Sequence, residues 1–229
     1  MIKSNFRLFN RIIVAIFIVS FLLAPIQVTY ATTLSRLDWF EQFFKSDKKI
    51  IVIDAGHGGK DPGSIDEGIE EKDINLQIAI KLKEAMLKKG YQVIMTRYKD
   101  VAISLHNRAK LANQSKGDIF ISIHQNSFKD SSIHGIEIFY NPDKGPLDKK
   151  LASCLQESLI NQTKAKDRQI RSDRDFVVIR ESKMPACLIE SAYLSNEKER
   201  NLIITDEYQN KIVNGIMQGI EIFFNQLKK

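Results

Sequence analysis

Four side chains of this sequence stand where an α/β sheet would bring them together. His57, in Gly56-His57-Gly58-Gly59, comes just after the apolar run Ile50-Ile51-Val52-Ile53, with Asp54 and Ala55 between the run and the glycine loop. His124 ends a second run, Ile119-Phe120-Ile121-Ser122-Ile123, and Glu190 ends a third, Ala186-Cys187-Leu188-Ile189. Glu71 lies just ahead of a helical pattern. In open α/β sheets ligands bind in the crevice beyond the carboxyl ends of the strands, so residues delivered there by separate strands can share one site. Two imidazoles and one carboxylate are a common catalytic zinc set that leaves a fourth position for water. Bound zinc lowers the pKa of water to about 7 and polarises a carbonyl. A further carboxylate would take the water's proton and return it to a leaving amine. The four residues therefore make a complete set for hydrolysing an amide. Spacing alone does not separate Glu71 from Glu70 or Glu67 as the ligand. A phosphate-cradling loop is the rival reading of the glycines, but they match neither P-loop spacing nor a dinucleotide fingerprint.

The elements that must position these residues follow from periodicity. From Lys49 onward, apolar runs alternate with helical patterns, which predicts an α/β fold. Strands are expected at 49–54, 91–96, 118–124, 135–140, 175–180 and 186–190. Ile74, Ile78, Leu82, Ala85 and Met86 mark the apolar face of a first helix. Asp73 suits its N-terminus and Gly90 its stop. Further helices are expected at 103–115, 147–164 and 207–227, the last with Ile212, Ile216, Ile220 and Phe223 on one stripe. Residues 165–174, rich in Lys, Arg and Asp, read as an exposed loop. No internal repeat, low-complexity stretch or second folded domain is evident.

With 229 residues, 43% of them hydrophobic, the chain can bury one sizeable core. Its first 31 residues have the layout of a secretory signal peptide: Lys3, Arg7 and Arg11, then the uncharged stretch 12–23, Pro25, and the small-residue site Thr29-Tyr30-Ala31. An uncleaved anchor is the alternative, although the apolar core is short of the ~20 residues that span a bilayer. Either way the protein is expected to be exported, with the membrane involved only through that segment if it stays uncleaved. Residues 32–48 read as an amphipathic lead-in and 49–229 as the catalytic domain. The three N-terminal basic residues account for half of the net charge of +6, leaving +3 for the rest. That excess suits a polyanionic wall surface. With no concentrated basic stripe or aromatic RNA-reading motif, it excludes nucleic acid as the expected partner. Cys154 and Cys187 fall in a helix and a strand, where buried free thiols are the simpler expectation and a disulfide the alternative.

An ordered series of motifs then resembles one family. Ile51-Val52-Ile53-Asp54-Ala55-Gly56-His57-Gly58-Gly59-Lys60-Asp61-Pro62-Gly63 is similar to the opening motif of the zinc-dependent N-acetylmuramoyl-L-alanine amidases. Glu71-Lys72-Asp73-Ile74-Asn75-Leu76, Thr96-Arg97, Ser122-Ile123-His124-Gln125-Asn126-Ser127 and Gly135-Ile136-Glu137 follow in the family's order. Lys183-Met184-Pro185-Ala186, Glu190 and Leu194-Ser195-Asn196 close the set. The resemblance covers about residues 49–226. It implies a single α/β domain with a mixed, mostly parallel central sheet flanked by helices on both faces. It implies one zinc ion held by His57, Glu71 and His124, which selects Glu71 among the acidic neighbours, with Glu190 as general base. The bond cut would join the lactyl group of muramic acid to L-alanine in peptidoglycan.

The chain departs from the family pattern in small ways. Ala55 replaces a common proline, Gln125 a frequent small residue, and Ser191-Ala192 a more usual apolar–glycine pair. These departures are expected to bear on substrate preference rather than chemistry. Asn126 is expected to bond the substrate peptide or orient His124, Arg97 to serve as a structural ion-pair partner rather than the alternative of a substrate clamp, and Glu137 to support the site or stand solvated on its strand. Surface roles are expected for His106 and His134. A bare catalytic domain behind a signal peptide resembles the germination-specific amidases of spore formers, implying action on cortex peptidoglycan between the spore membranes, or otherwise in the cell wall. Lacking a wall-binding module, the domain is expected to use an exported partner for placement or zinc retention. Two other readings stay open: an exported peptidoglycan-binding protein without activity, and a zinc peptidase cutting within the stem peptide.

Overall fold

β-Branched residues dominate Ile50–Ala55 (β1), which is buried on both sides as inner strands of parallel sheets are. It is the second strand of a six-stranded sheet in the computed structural model, which describes residues 48–228. The expected signal peptide and all but the last residue of the lead-in lie outside the described residues. Among the described residues no helix is long and apolar enough to cross a membrane.

After β1 comes a hairpin of two short strands, Ile65–Asp66 (β2) and Ile69–Glu70 (β3). Its central residues, Glu67 and Gly68, both take positive φ, 48° and 77°, as tight two-residue hairpin turns require. The chain passes from β3 directly into helix Glu71–Lys88 (α1). There follow Gln92–Met95 (β4), Leu105–Gln114 (α2), Ile119–Asn126 (β5), Ile136–Tyr140 (β6) and Pro146–Thr163 (α3). Asp167–Ser172 (β7), Val177–Glu181 (α4), Ala186–Tyr193 (β8), Glu197–Ile203 (α5) and Asp206–Leu227 (α6) complete the order. Ser104 and Thr205 cap α2 and α6 by accepting backbone N–H bonds from Asn107 and Tyr208.

The sheet runs β4-β1-β5-β8-β6-β7. All neighbours are parallel except β6 and β8, so the expected mixed, mostly parallel sheet is present. Alternate residues face opposite layers. On one face Ile51, Ile53, Ile121 and Ile123 pack with residues of α1, α3 and α6. On the other Val52, Phe120 and Leu188 meet Ala112 of α2 and Val178 and Ile179 of α4. The chain leaves β1 for β4 on one side and returns to β5 on the other. The carboxyl ends of β1 and β5 therefore flank a switch in direction, the place where such sheets open a crevice.

Two sequence expectations are corrected. Residues 175–180 do not form a strand; Val177–Glu181 is a five-residue helix whose Val178 and Ile179 cover the second face. A short apolar run carries no period that distinguishes the two. Residues 165–174 are not simply a loop, because Asp167–Ser172 is the edge strand β7, paired parallel to β6. Its charged, mostly exposed sequence is what protects a sheet edge from further pairing. Cys154 and Cys187 are buried and free, so no disulfide forms.

Candidate metal centre

The site begins where β1 stops. The Gly56 N–H donates to the Ile123 carbonyl (3.1 Å) and carries the ladder one residue further. A Cβ at Gly56 would lie 2.2 Å from the His124 ring, so the imidazole fits over this residue only because it is glycine. His57 then takes φ +61°, a conformation that costs a non-glycine residue energy and persists when its surroundings enforce it.

Two buried arginines enforce it. Arg97 donates from Nε to the Ala55 carbonyl (2.9 Å) and from Nη2 to those of Gly56 (2.9 Å) and Lys72 (2.7 Å). Arg108 donates to the carbonyls of Ala55 (2.6 Å) and His57 (2.6 Å), and its Nη1 pairs with Asp54 Oδ1 (2.7 Å). Gly56 and His57 lie past the end of β1, so their carbonyls have no ladder partners, and buried acceptors must be matched. Thr96 and Ser122 hydroxyls donate to the same Asp54 carboxylate, at 2.6 and 2.7 Å. Burial works to raise the Asp54 pKa, but Arg108 and the two hydroxyls hold it below the ordinary carboxylate range. Arg97 is thus a clamp on main-chain carbonyls, not the ion-pair partner expected from the sequence; the buried ion pair belongs to Arg108.

Glu71, the first residue of α1, is delivered by the hairpin and is 3% exposed. Its Oε1 lies 2.9 Å from His124 Nδ1 and its Oε2 3.3 Å from His57 Nε2. The two imidazoles meet edge to face, with centroids 4.9 Å apart. Backbone N–H groups of Ser64 and Gln125 donate to Glu71 at 2.9 and 3.0 Å, and Asn75 Nδ2 donates to Oε1 at 3.1 Å. Burial would raise this carboxyl, yet the two imidazoles hold it far below the ordinary range. Burial would lower the His57 pKa, but Glu71 and Asp61 push it up. Gly63, at φ +68°, leaves room for this packing: a Cβ there would stand 2.5 Å from Glu71 Oε2.

The donor set fits a metal ion. One ligand atom from each of His57, Glu71 and His124 lies within 4.8 Å of the others. Asp61 Oδ2 sits 2.9 Å from His57 Nδ1, which directs the Nε2 lone pair inward, the usual carboxylate–histidine support of a metal ligand. Two nitrogens and a carboxylate oxygen are donors that zinc takes.

Glu190 completes the cleft from the opposite wall. It pairs in register with His124 on β5 and with Glu137 on β6, so the three side chains share one face of the sheet. Its Oε2 is sealed from solvent without a hydrogen-bond partner, while the residue lines a cavity of about 350 Å³ with His57, Glu71 and His124. Burial first, then the negative charges of Glu71 and Glu137, raise its pKa well above the ordinary value. Leu105, Phe176, Val177 and Val178 form an apolar wall of the same cavity.

Other expected residues fall into place differently. Asn126 lines the cavity, but its Nδ2 donates to Glu137 Oε1 (2.8 Å) and its Oδ1 accepts from the Ser127 N–H; it makes no side-chain bond to His124. Glu137 is buried, not solvated, accepting also from the Tyr193 hydroxyl and ion-paired to Arg171 (2.9 Å). His106 and His134 are exposed. Asp61, Asn75 and Arg108 support the site without being marked out by strand ends or periodicity. Asn75 and Arg108 had one signal available, as polar residues on otherwise apolar helix faces.

Comparison with known proteins adds to this geometry. The family model described as N-acetylmuramoyl-L-alanine amidase matches residues 51–222. The chain is 34% identical to the sporulation-specific N-acetylmuramoyl-L-alanine amidase of Bacillus subtilis, over 78% of this chain and 69% of that protein. It is 30% identical to the germination-specific amidase of the same species, over 78% and 81%. Among solved structures it superposes on the CwlD amidase of Clostridioides difficile, determined in complex with the GerS lipoprotein. The TM-score is 0.75 at 35% identity, covering 78% of this chain and all of that one.

Proposed function

This chain belongs to the N-acetylmuramoyl-L-alanine amidase family, and we propose that it works as an exported, zinc-dependent member acting on spore-cortex peptidoglycan. The activity itself, hydrolysis of the amide joining the muramic acid lactyl group to L-alanine, follows from membership and from named amidases at 30–34% identity. One observation carries the zinc reading: His57, Glu71 and His124 converge beside an unpartnered Glu190 in a single cavity.

In this reading His57, Glu71 and His124 hold one zinc ion per chain, which when bound supplies Lewis acidity toward the scissile carbonyl and acidifies water. Glu190 removes a proton from the attacking water as its oxygen bonds to the carbonyl carbon. It then returns that proton to the departing nitrogen as the C–N bond breaks, and the second water proton passes to the amine, leaving a lactyl carboxylate and an L-alanine ammonium group. A raised pKa suits a group that must both accept and give a proton near neutral pH. The apolar wall at Leu105 and Phe176 keeps bulk water from one side of the reacting amide. In the same reading Asn126, which lines the cavity and is braced by Glu137, bonds the stem peptide.

The deciding experiment pairs zinc content with muropeptide digestion. Zinc binding together with release of peptides beginning with free L-alanine supports the proposal. Cleavage between stem residues would make the protein a peptidase, and binding without cleavage would make it a recognition protein. The spore role is supported by the similarity to germination- and sporulation-specific amidases. Deleting the gene is expected to lower the muramic-δ-lactam content of the cortex; unchanged content would remove that role. An exported partner is supported by the lipoprotein complex of the CwlD relative. Pull-down from sporulating cells should recover such a partner; a chain isolated alone, zinc-loaded and fully active would argue against one.

A further inference from the structure

We propose that Gln125 and Ser191 are a pair of positioning residues that couple the Glu190 strand to the Glu71 carboxylate and so set the metal affinity of the site. The inference rests on the zinc reading given above. Both positions were noted in the sequence as departures from the family pattern, and the structure places them against each other. His124 pairs with Glu190 and Asn126 with Tyr193, so Ser191 and Ala192 on β8 stand opposite Gln125 alone on β5. This is a bulge directly after Glu190, of the kind that re-aims side chains beside active sites.

A hydrogen bond spans the bulge. The Ser191 hydroxyl donates to Gln125 Oε1 (2.9 Å), Gln125 Nε2 donates to Asn75 Oδ1 (3.2 Å), and Asn75 Nδ2 donates to Glu71 Oε1 (3.1 Å). Every donor points the same way, from β8 toward the carboxylate, and an aligned chain of this kind polarises each member in turn. Ser191, Gln125 and Asn75 are each at most 1% exposed, so water does not replace a missing partner. Asn75 Nδ2 also reaches the Gly56 carbonyl (3.3 Å), and the Gln125 N–H grips Glu71 directly. One strand residue thus holds the ligand through its main chain and, by way of Asn75, through its side chain. The two unusual residues depend on each other: Gln125 without Ser191 loses the donor to its Oε1, and Ser191 without Gln125 loses its closest acceptor.

The test is a double-mutant cycle on the full chain with Ser191→Ala, Gln125→Met and both together. It is read by chelator-competed affinity for zinc alone, by kcat and KM, and by melting temperature. Gln125→Met is expected to weaken zinc about 10-fold, the lower end of the range for outer supports of metal ligands. Ser191→Ala, which meets a ligand residue only through a long 3.5 Å contact with the His124 main-chain carbonyl, should weaken it by less. The double variant should be no worse than Gln125→Met, since coupled residues do not add. Wild-type zinc affinity in both single variants, with only a lowered melting temperature, would overturn the pair as a positioning device. Effects that simply multiply in the double variant would also overturn it. A Glu71→Gln control separates the premise: if that variant binds zinc as tightly as wild type, the metal reading beneath the proposal fails instead.

Discussion

The two walls of the cleft treat the same residue type in opposite ways. On the β1/α1 wall, Glu71 accepts from two backbone N–H groups and Asn75 and faces two imidazoles, which keep it charged. On the β8 wall, Glu190 has a sealed oxygen with no partner and two carboxylates for neighbours, which push its pKa up. In the proposed reading one carboxylate stays an anion and holds a cation, while the other exchanges a proton. Environments that drive two carboxyl pKa values apart assign their roles.

The largest expected effects break this contrast at its ends. Glu190→Gln should retain zinc and lose cleavage by roughly 10²- to 10⁴-fold, the scale of general acid–base catalysis. Glu71→Gln should lose the metal and the activity together. Metal analysis beside muropeptide release distinguishes them. If Glu190→Gln lost zinc, or Glu71→Gln kept it, the division of labour between the walls would be wrong.

Next in size are changes to the clamp beneath the first wall. Arg108→Met leaves Asp54 buried without its counter-charge, and removing one partner of a buried pair costs about 3–5 kcal/mol. Denaturant melts should show that loss. The same pair gives a pH signature. The folded Asp54 pKa is lowered below an unfolded value of about 3.9. Its contribution is therefore present above about pH 3.9 and disappears as pH falls through the folded value. The stability difference between wild type and Asp54→Asn should shrink on acidification below about pH 4; a difference constant with pH would show that Asp54 carries no charge in the fold.

Of the four candidate-site residues, His57, His124 and Glu190 stood out because each lies at the end of a strand-like apolar segment, and strand ends are where α/β sheets gather function. Glu71 was not legible from spacing, since the hairpin that selects it over Glu67 and Glu70 consists of two-residue strands with no periodic signal. The main helices and five of the six sheet strands followed from periodicity. β7 did not, because an edge strand with one apolar residue, Ile170, reads as a charged loop. The clamp was hidden for a different reason: Arg97 and Arg108 bond main-chain carbonyls, and an acceptor that every residue carries leaves no mark in a sequence.

A smaller effect is expected where the walls meet. Gly56→Ala puts a methyl where the His124 ring lies, and the neighbouring β1–β5 ladder cannot yield without losing register. The ring must turn away from Glu71, so zinc affinity should fall by about 10- to 100-fold, as when a ligand's orientation is lost, with the fold retained by circular dichroism. Unchanged affinity would mean that the His124 orientation does not matter to the metal.

The smallest expected effect comes from a pair that mimics the site without its surroundings. His106 Nδ1 and Glu181 Oε2 lie 2.8 Å apart, as close as His124 and Glu71, but the His106 side chain is 73% exposed and that of His124 only 15%. Solvent screens the outer pair, and exposed ion pairs contribute little. The cavity beside it, lined by Lys110, Asn113 and Lys183 as well, brings no third metal donor to His106 and Glu181. His106→Ala should therefore leave zinc content, cleavage rate and melting temperature at wild-type values. The inner and outer pairs share residue types and distance, so a null result there would assign the chemistry to burial and to the third ligand. A drop in zinc content or cleavage would mean that a histidine–glutamate contact matters here even without them.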